Sequence, residues 1–267
     1  SQVVMAYERC WPIVLTIGSN PAWASTHKEG FLDKAGPDEL AQFTAALAER
    51  YDGDGIQDAP GSPKVLYFEM YNEPDVGALS LDERWGDAPA QYAAMLKAVY
   101  PAVKAANPKA QVVFGGIAFD FFTDQDPVHP ENNGPFVRTF FENVLKNGGG
   151  PYFDIMNYHF YPLFGPNWAK NFPKDGPGLV EKTEAVRAIM RRYNISKPVI
   201  ITEAGWHNNN TIPFGDDTLQ VRYVQKLYTQ ALASGVPMLA WWPFSDVGGA
   251  YTYNSGLVTE DGSTLKP

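Results

Sequence analysis

The sequence has a single cysteine, Cys10, in 267 residues. That excludes an intrachain disulfide framework and a thiolate metal cluster, both of which need several sulfurs. Histidine is scarce too: the four, at positions 27, 129, 159 and 207, show no His-x-His or His-Glu-x-x-His pairing. No metal centre and no cofactor is therefore expected. Basic charge is in deficit, with 21 Lys and Arg against 30 Asp and Glu and a formal net charge of -9. A nucleic-acid backbone is bound through clustered Lys and Arg, so nucleic acid is not an expected partner. No uninterrupted apolar run reaches the roughly 18 residues of a transmembrane helix, so no membrane span is expected. The first 20 residues carry Glu8 and Arg9 in apolar surroundings, without a basic leader or a small-residue cleavage site, and do not read as a signal peptide.

What is present is enough to build one large domain over residues 1–267. Hydrophobic residues make up 45% and charged residues 19%, which favours a compact fold over disorder. Aromatic residues reach 14%, including seven Trp and 14 Tyr, and such rings either fill a core or line a pocket for a neutral ligand. From Pro12 onward short apolar runs alternate with segments of helical period, the pattern of repeated βα units around a parallel sheet. Six strands are predicted: Ile13 to Gly18, Lys64 to Tyr71, Gln111 to Ile117, Phe153 to Tyr158, Pro198 to Thr202 and Met238 to Trp242. Helices are predicted between them at 37–51, 88–106, 135–147, 178–193 and 216–234, from apolar spacings of three and four. A closed barrel of such units needs eight strands. The six are read as strands three to eight of a TIM-type (β/α)8 barrel incomplete at its N-terminus. The stretch Gln2 to Trp11 is read as the end of its second helix, and the chain as starting within that helix of a longer parent barrel. Polar, Pro/Gly-rich loops stand out at 52–63, 123–135, 162–178 and 207–217.

Two carboxyl groups occupy comparable places in this pattern. The second predicted strand runs into Asn72, Glu73 and Pro74, and the fifth ends in Glu203, followed by Ala204, Gly205 and Trp206. The C-terminal ends of barrel strands form the catalytic face, and two carboxyl groups across such a mouth are what glycosidic cleavage uses. Glu69, deeper on the face of Glu73, reads as a buried, hydrogen-bonded structural carboxylate. A lone Glu at a strand end is ordinarily solvated or salt-bridged; the repetition of the arrangement favours chemistry. Asp52, Asp54 and Asp58 have oxygen ligands spaced like part of a calcium loop, but the distal Glu of an EF-hand is missing, and a polar turn is expected.

Tyr71-Asn72-Glu73-Pro74, Ile201-Thr202-Glu203-Ala204-Gly205, Tyr158-His159-Phe160-Tyr161 and Trp241-Trp242 together resemble the clan A glycoside hydrolases, most of all families 39 and 5. The resemblance spans essentially the whole chain from Pro12. It implies a (β/α)8 barrel and hydrolysis with retention, through a glycosyl-enzyme intermediate, of β-glycosidic bonds in an oligosaccharide or polysaccharide. By the same resemblance Glu73 is the acid/base, Glu203 the nucleophile and Asn72 the contact to the sugar 2-hydroxyl. His159 and Tyr161 are implied to touch nucleophile and substrate, and Trp241 to form the platform under the reactive sugar, with Trp242 beside it. Trp23 and Trp206, each just past a strand, are further candidates for stacking on sugar rings. The family's strand-two Arg, which supports the nucleophile, has no counterpart. The rival expectation is a noncatalytic carbohydrate-binding barrel or an inactive truncated fragment. An extracellular setting would suit a polymeric substrate, and nothing in the sequence points to an oligomeric state.

Overall fold

The structure is a computed structural model that describes residues 2–77, 84–119, 135–161, 178–206, 217–247 and 254–266. The loops singled out at 123–135, 162–178 and 207–217 lie almost wholly outside these residues, as do His129 and His207. All six predicted strands are present: β1 Val14–Ile17, β2 Tyr67–Asn72, β3 Gln111–Gly116, β4 Met156–Phe160, β5 Val199–Ala204 and β6 Leu239–Trp241. The helices are α1 Gln2–Glu8, α2 Pro37–Arg50, α3 Pro89–Ala106, α4 Phe140–Lys146, α5 Leu179–Arg192 and α6 Asp217–Ala233. Among the described residues no helix is long and apolar enough to cross a membrane. Contacts gather the chain into two compact units. One comprises Ser1–Ile117, Pro135–Asn157 and Ile189–Pro198; the other, the described parts of Ala118–Gly134, Tyr158–Ala188 and Val199–Pro267.

In the first unit β1, β2 and β3 form a parallel sheet in that order, with Ile17 opposite Met70 and Asn72 opposite Gly116. Five of the six residues of β3 are buried, which is why it reads as an apolar run rather than an alternation. The core gathers on Phe114, whose ring lies 5.0 Å from Tyr92, 5.2 Å from Phe141 and 5.3 Å from Phe153. The Tyr92 hydroxyl donates to the Met70 carbonyl and accepts from the Gly115 amide, so α3 is tied to β2 and β3 by a buried polar link. Helix α2 starts as its sequence dictates, with Pro37 in the first turn, Asp38 and Glu39 beside the positive end of the helix dipole and Arg50 in the last turn. The helix predicted over 135–147 begins only at Phe140. Phe136 instead makes an antiparallel bridge to Val76, and the Gly77 amide donates to the Pro135 carbonyl.

The other sheet has the order β4-β5-β6, and in the second unit Ile201 lies opposite Leu239 and Ala204 opposite Trp241. A register irregularity lies between those two pairs. Tyr223 of α6 is buried between two indoles, its ring 5.0 Å from Trp206 and 5.9 Å from Trp241. Helix α6 is closed two residues past its end by Gly235, whose φ of +63° is the left-handed conformation that glycine adopts without steric cost.

Candidate active site

Glu73 stands one residue past β2, at a place where the backbone is forced. Tyr71 has φ +64° and Glu73 φ +45°, and Ser19, past the neighbouring β1, has φ +61°. Such conformations cost non-glycine residues of order 1–3 kcal/mol each and persist only where the surroundings over-determine them. At Tyr71 the determinants are visible. Its ring is buried edge-on to Trp85 at 4.9 Å, and its hydroxyl donates to Asn20 Oδ1 at 2.7 Å. Burial, followed by the charge of Glu29, pushes the Tyr71 phenol well up, so it remains a donor. A Cβ on Gly115 of β3 would sit 2.4 Å from the Met70 carbonyl and 2.6 Å from that of Tyr71, so the bent strand end requires glycine beside it.

The Glu73 carboxylate receives Arg84, whose Nη1 lies 3.3 Å from Oε2 and also donates to the Asn72 carbonyl at 2.8 Å. Arg84 has no signal in the sequence, since it follows Glu73 by eleven positions without a strand or helix period to link them. Glu69 is buried as expected. It accepts from Thr16 Oγ1 at 2.8 Å, the Gly116 amide at 3.0 Å and Asn157 Nδ2 at 2.6 Å, bonds that stitch β1, β2 and β3 together.

Glu203, near the end of β5, has different company. Tyr161 donates its hydroxyl to Oε2 at 3.0 Å, and His159 Nδ1 lies 3.7 Å from the same oxygen. The other ring nitrogen of His159 is 3.2 Å from Thr202 Oγ1, which fixes the imidazole plane. Behind it, the buried Lys182 of α5 donates to the His159 carbonyl at 2.7 Å, with its ammonium 5.0 Å from the Tyr158 ring centroid. At Gly205 the structure leaves no room for a side chain. A Cβ there would lie 2.6 Å from the Trp242 carbonyl and 3.0 Å from Tyr161 Cε1, so any side chain would displace the ring that bonds Glu203.

The structure thus brings Asn72 beside Glu73 and Arg84 in one unit, and His159 and Tyr161 beside Glu203 in the other. The tryptophans divide. Trp23 is 68% exposed in the loop after β1, and Trp242 is 39% exposed. Trp241 is half-buried, with its indole donating to the Ser255 carbonyl at 2.8 Å. Trp206 corrects the expectation of a stacking ring: it is wholly buried against Tyr223 and presents no face to a sugar.

A profile of the cellulase family, glycosyl hydrolase family 5, matches residues 20–245 and so includes both strand-end glutamates. The chain belongs to this family. No curated protein matches it significantly. Among solved structures it is similar to a family 39 glycoside hydrolase from the gut symbiont Bacteroides cellulosilyticus WH2, at 22% identity and TM-score 0.63. That match covers 100% of this chain and 50% of the other. A glucosidase from Croceicoccus marinus matches at 18% identity and TM-score 0.64, over 97% of this chain and 49% of the other. A monomeric beta-xylosidase from Caulobacter crescentus CB15 matches at 16% and 0.60, over 94% and 50%. The family 5 chain therefore spans about half the length of these structures. At such identities the likeness carries the fold, that of the (β/α)8-barrel glycoside hydrolases.

Proposed function

We propose that this family 5 chain is a retaining glycoside hydrolase of β-linked oligosaccharides or polysaccharides, with Glu203 as nucleophile and Glu73 as acid/base. The observation that carries the reading is the setting of Glu203: a carboxylate at a strand end, held by the Tyr161 hydroxyl with the His159 imidazole alongside. A donor that is itself neutral favours the ionised carboxylate without balancing its charge, which suits a nucleophile. In the first step a Glu203 oxygen bonds to the anomeric carbon as the bond to the leaving oxygen breaks, and Glu73 gives that oxygen its proton. In the second, Glu73 takes a proton from water as the water oxygen bonds to the anomeric carbon and Glu203 leaves as carboxylate. Arg84 beside Glu73 favours its ionised form, which assists the second step and opposes the first. Asn72 is assigned the sugar 2-hydroxyl, Trp241 and Trp242 the flank of the reactive sugar, and Trp23 a more distant ring.

The test is trapping. Activated 2-deoxy-2-fluoro-β-glycosides of the gluco, manno and xylo series should leave one label per chain on the peptide containing Glu203. Glu203→Gln should take no label and lose turnover of every aryl β-glycoside, by on the order of 10⁴-fold or more, as removal of an obligatory nucleophile does. A label on another residue, or hydrolysis surviving in Glu203→Gln, would remove the assignment. Sugar binding with neither label nor turnover would favour a noncatalytic binding barrel.

A further inference from the structure

A cavity of about 460 Å³ opens at the C-terminal ends of β1 and β2, lined by Thr16, Ser19, Lys28, Glu29, Asn72 and Arg84. This is within the range of small-molecule sites, about 300–1,000 Å³. Two of these side chains, Lys28 and Glu29, have no part in the chemistry above, and both sit on a loop built to hold them. Asn20 donates Nδ2 to the His27 carbonyl at 2.8 Å and to the Gly30 carbonyl at 2.7 Å, and its amide donates to the Lys28 carbonyl at 2.6 Å. Its Oδ1 is in turn held by Tyr71. Glu29 is fixed separately, Oε2 accepting from the Ser19 amide at 3.1 Å and Oε1 from the Ser19 hydroxyl at 2.5 Å. Ser19 reaches it from the left-handed conformation, so backbone strain is spent on orienting one carboxylate. Among the described residues nothing pairs with the Lys28 ammonium.

We propose that this cleft is a glycosyl subsite that takes an uncharged, hydroxyl-rich pyranosyl residue, with Lys28 and Glu29 as its specificity-determining side chains. The proposal takes the class of ligand from the glycoside hydrolase reading and the rest from the lining. Arg84 is engaged by Glu73, which leaves, among the described residues, one cation and one carboxylate lining the cavity, a balanced pair. A sugar carboxylate would gain Lys28 but meet the Glu29 charge, whereas neighbouring hydroxyls satisfy both groups, donating to Glu29 and accepting from Lys28. Among the described residues the cavity lining contains no aromatic ring, so recognition by them falls on in-plane hydrogen bonds rather than on stacking. Glu29 keeps lone pairs beyond those used by Ser19, and its fixed position means little ordering is needed on binding.

The experiment reads binding, so that it stands apart from turnover. Neutral trisaccharides of the β-gluco, β-manno and β-xylo series, and trigalacturonate as an acidic probe, are titrated by calorimetry and saturation-transfer NMR. The proteins are the wild type, Lys28→Met, Glu29→Gln and Glu203→Gln. At least one neutral trisaccharide should bind Glu203→Gln, in which it is not consumed, more tightly than trigalacturonate does, and the two cleft substitutions are compared in that same background. Each of Lys28→Met and Glu29→Gln should weaken it roughly 10- to 150-fold, the range for hydrogen bonds to charged groups. Lys28 is exposed and has no partner among the described residues, so Lys28→Met should keep the wild-type circular dichroism and melting temperature, whereas Glu29→Gln gives up one of its two bonds from Ser19 and is read only if its circular dichroism stays that of the wild type. Tighter binding of the acidic probe, no binding of any neutral one, or both variants within twofold of Glu203→Gln alone would overturn the proposal. A wild type that binds sugar through Lys28 and Glu29 but hydrolyses nothing would instead sink the enzymatic reading and leave the subsite standing.

Discussion

The ends of β2 and β5 carry the same residue type in the same position of a βα unit, yet their surroundings differ in kind. Glu73 meets a full positive charge in Arg84 and stands on backbone forced into the left-handed region. Glu203 lies within β5, where the register to β6 shifts, and is held by a phenol with an imidazole alongside, the latter braced from behind by Lys182. Two carboxyl groups given separate tasks at one pH must be treated differently by their environments. The family resemblance names both residues and their proposed roles; the structure adds that the two carboxyl groups have neighbours of different kinds.

Three substitutions probe that contrast, in descending order of expected effect. Glu73→Ala should lower kcat/KM about 10²- to 10⁴-fold on substrates with poor leaving groups, the usual contribution of general acid catalysis. Dinitrophenyl glycosides, which need little protonation, should be spared in the glycosylation step, and azide should restore turnover with formation of a glycosyl azide. Equal losses on both substrate types, with no azide rescue, would erase the distinction between the two strand ends. Tyr161→Phe deletes a hydrogen bond to a part-buried carboxylate and should cost roughly 10- to 150-fold in kcat/KM, whatever the leaving group. A loss that instead followed leaving-group acidity would mean that Tyr161 serves the acid. Arg84→Met should be the mildest. Its ion pair is partly exposed, at 18% and 20% for the two side chains, and such pairs are worth about 0–1 kcal/mol, at most about a fivefold change. Steady-state kinetics at low and high salt would show the wild-type advantage shrinking with screening. An Arg84→Met effect larger than that of Tyr161→Phe would reverse the assignment of which carboxylate depends more on its partner.

The central strands were legible because a parallel sheet buries both of their faces. Val112, Val113 and Phe114 form one apolar run bounded by polar residues and Gly115, with no other reading at that length. Helices with strong periods, such as α2 and α3, fell within one or two residues of expectation. Where the expectation failed, a distant partner decided. The segment at 135–139 is not helical because Val76 and Gly77 claim its backbone, and Trp206 is buried because Tyr223 lies opposite. At the site, the strand-end glutamates were visible as punctuation after apolar runs, and His159 and Tyr161 through their motif. Arg84, Lys28 and Glu29 were not. They sit in loops, where position depends on individual hydrogen bonds, such as those of Asn20, that leave no periodic trace.

The bond from Tyr71 to Asn20 also bears on how this chain could change. Loops on a barrel's catalytic face are the parts commonly exchanged when a scaffold acquires new specificities. Here the loop after β1 is keyed to the strand beside it, through a phenol whose burial favours its protonated, donating form. It would therefore transplant poorly on its own. A graft that carried residues 18–35 into another scaffold without a tyrosine at the matching strand end would lose the anchor of Asn20, and with it the carbonyl bonds that set Lys28 and Glu29. Lock and loop would have to be inherited together.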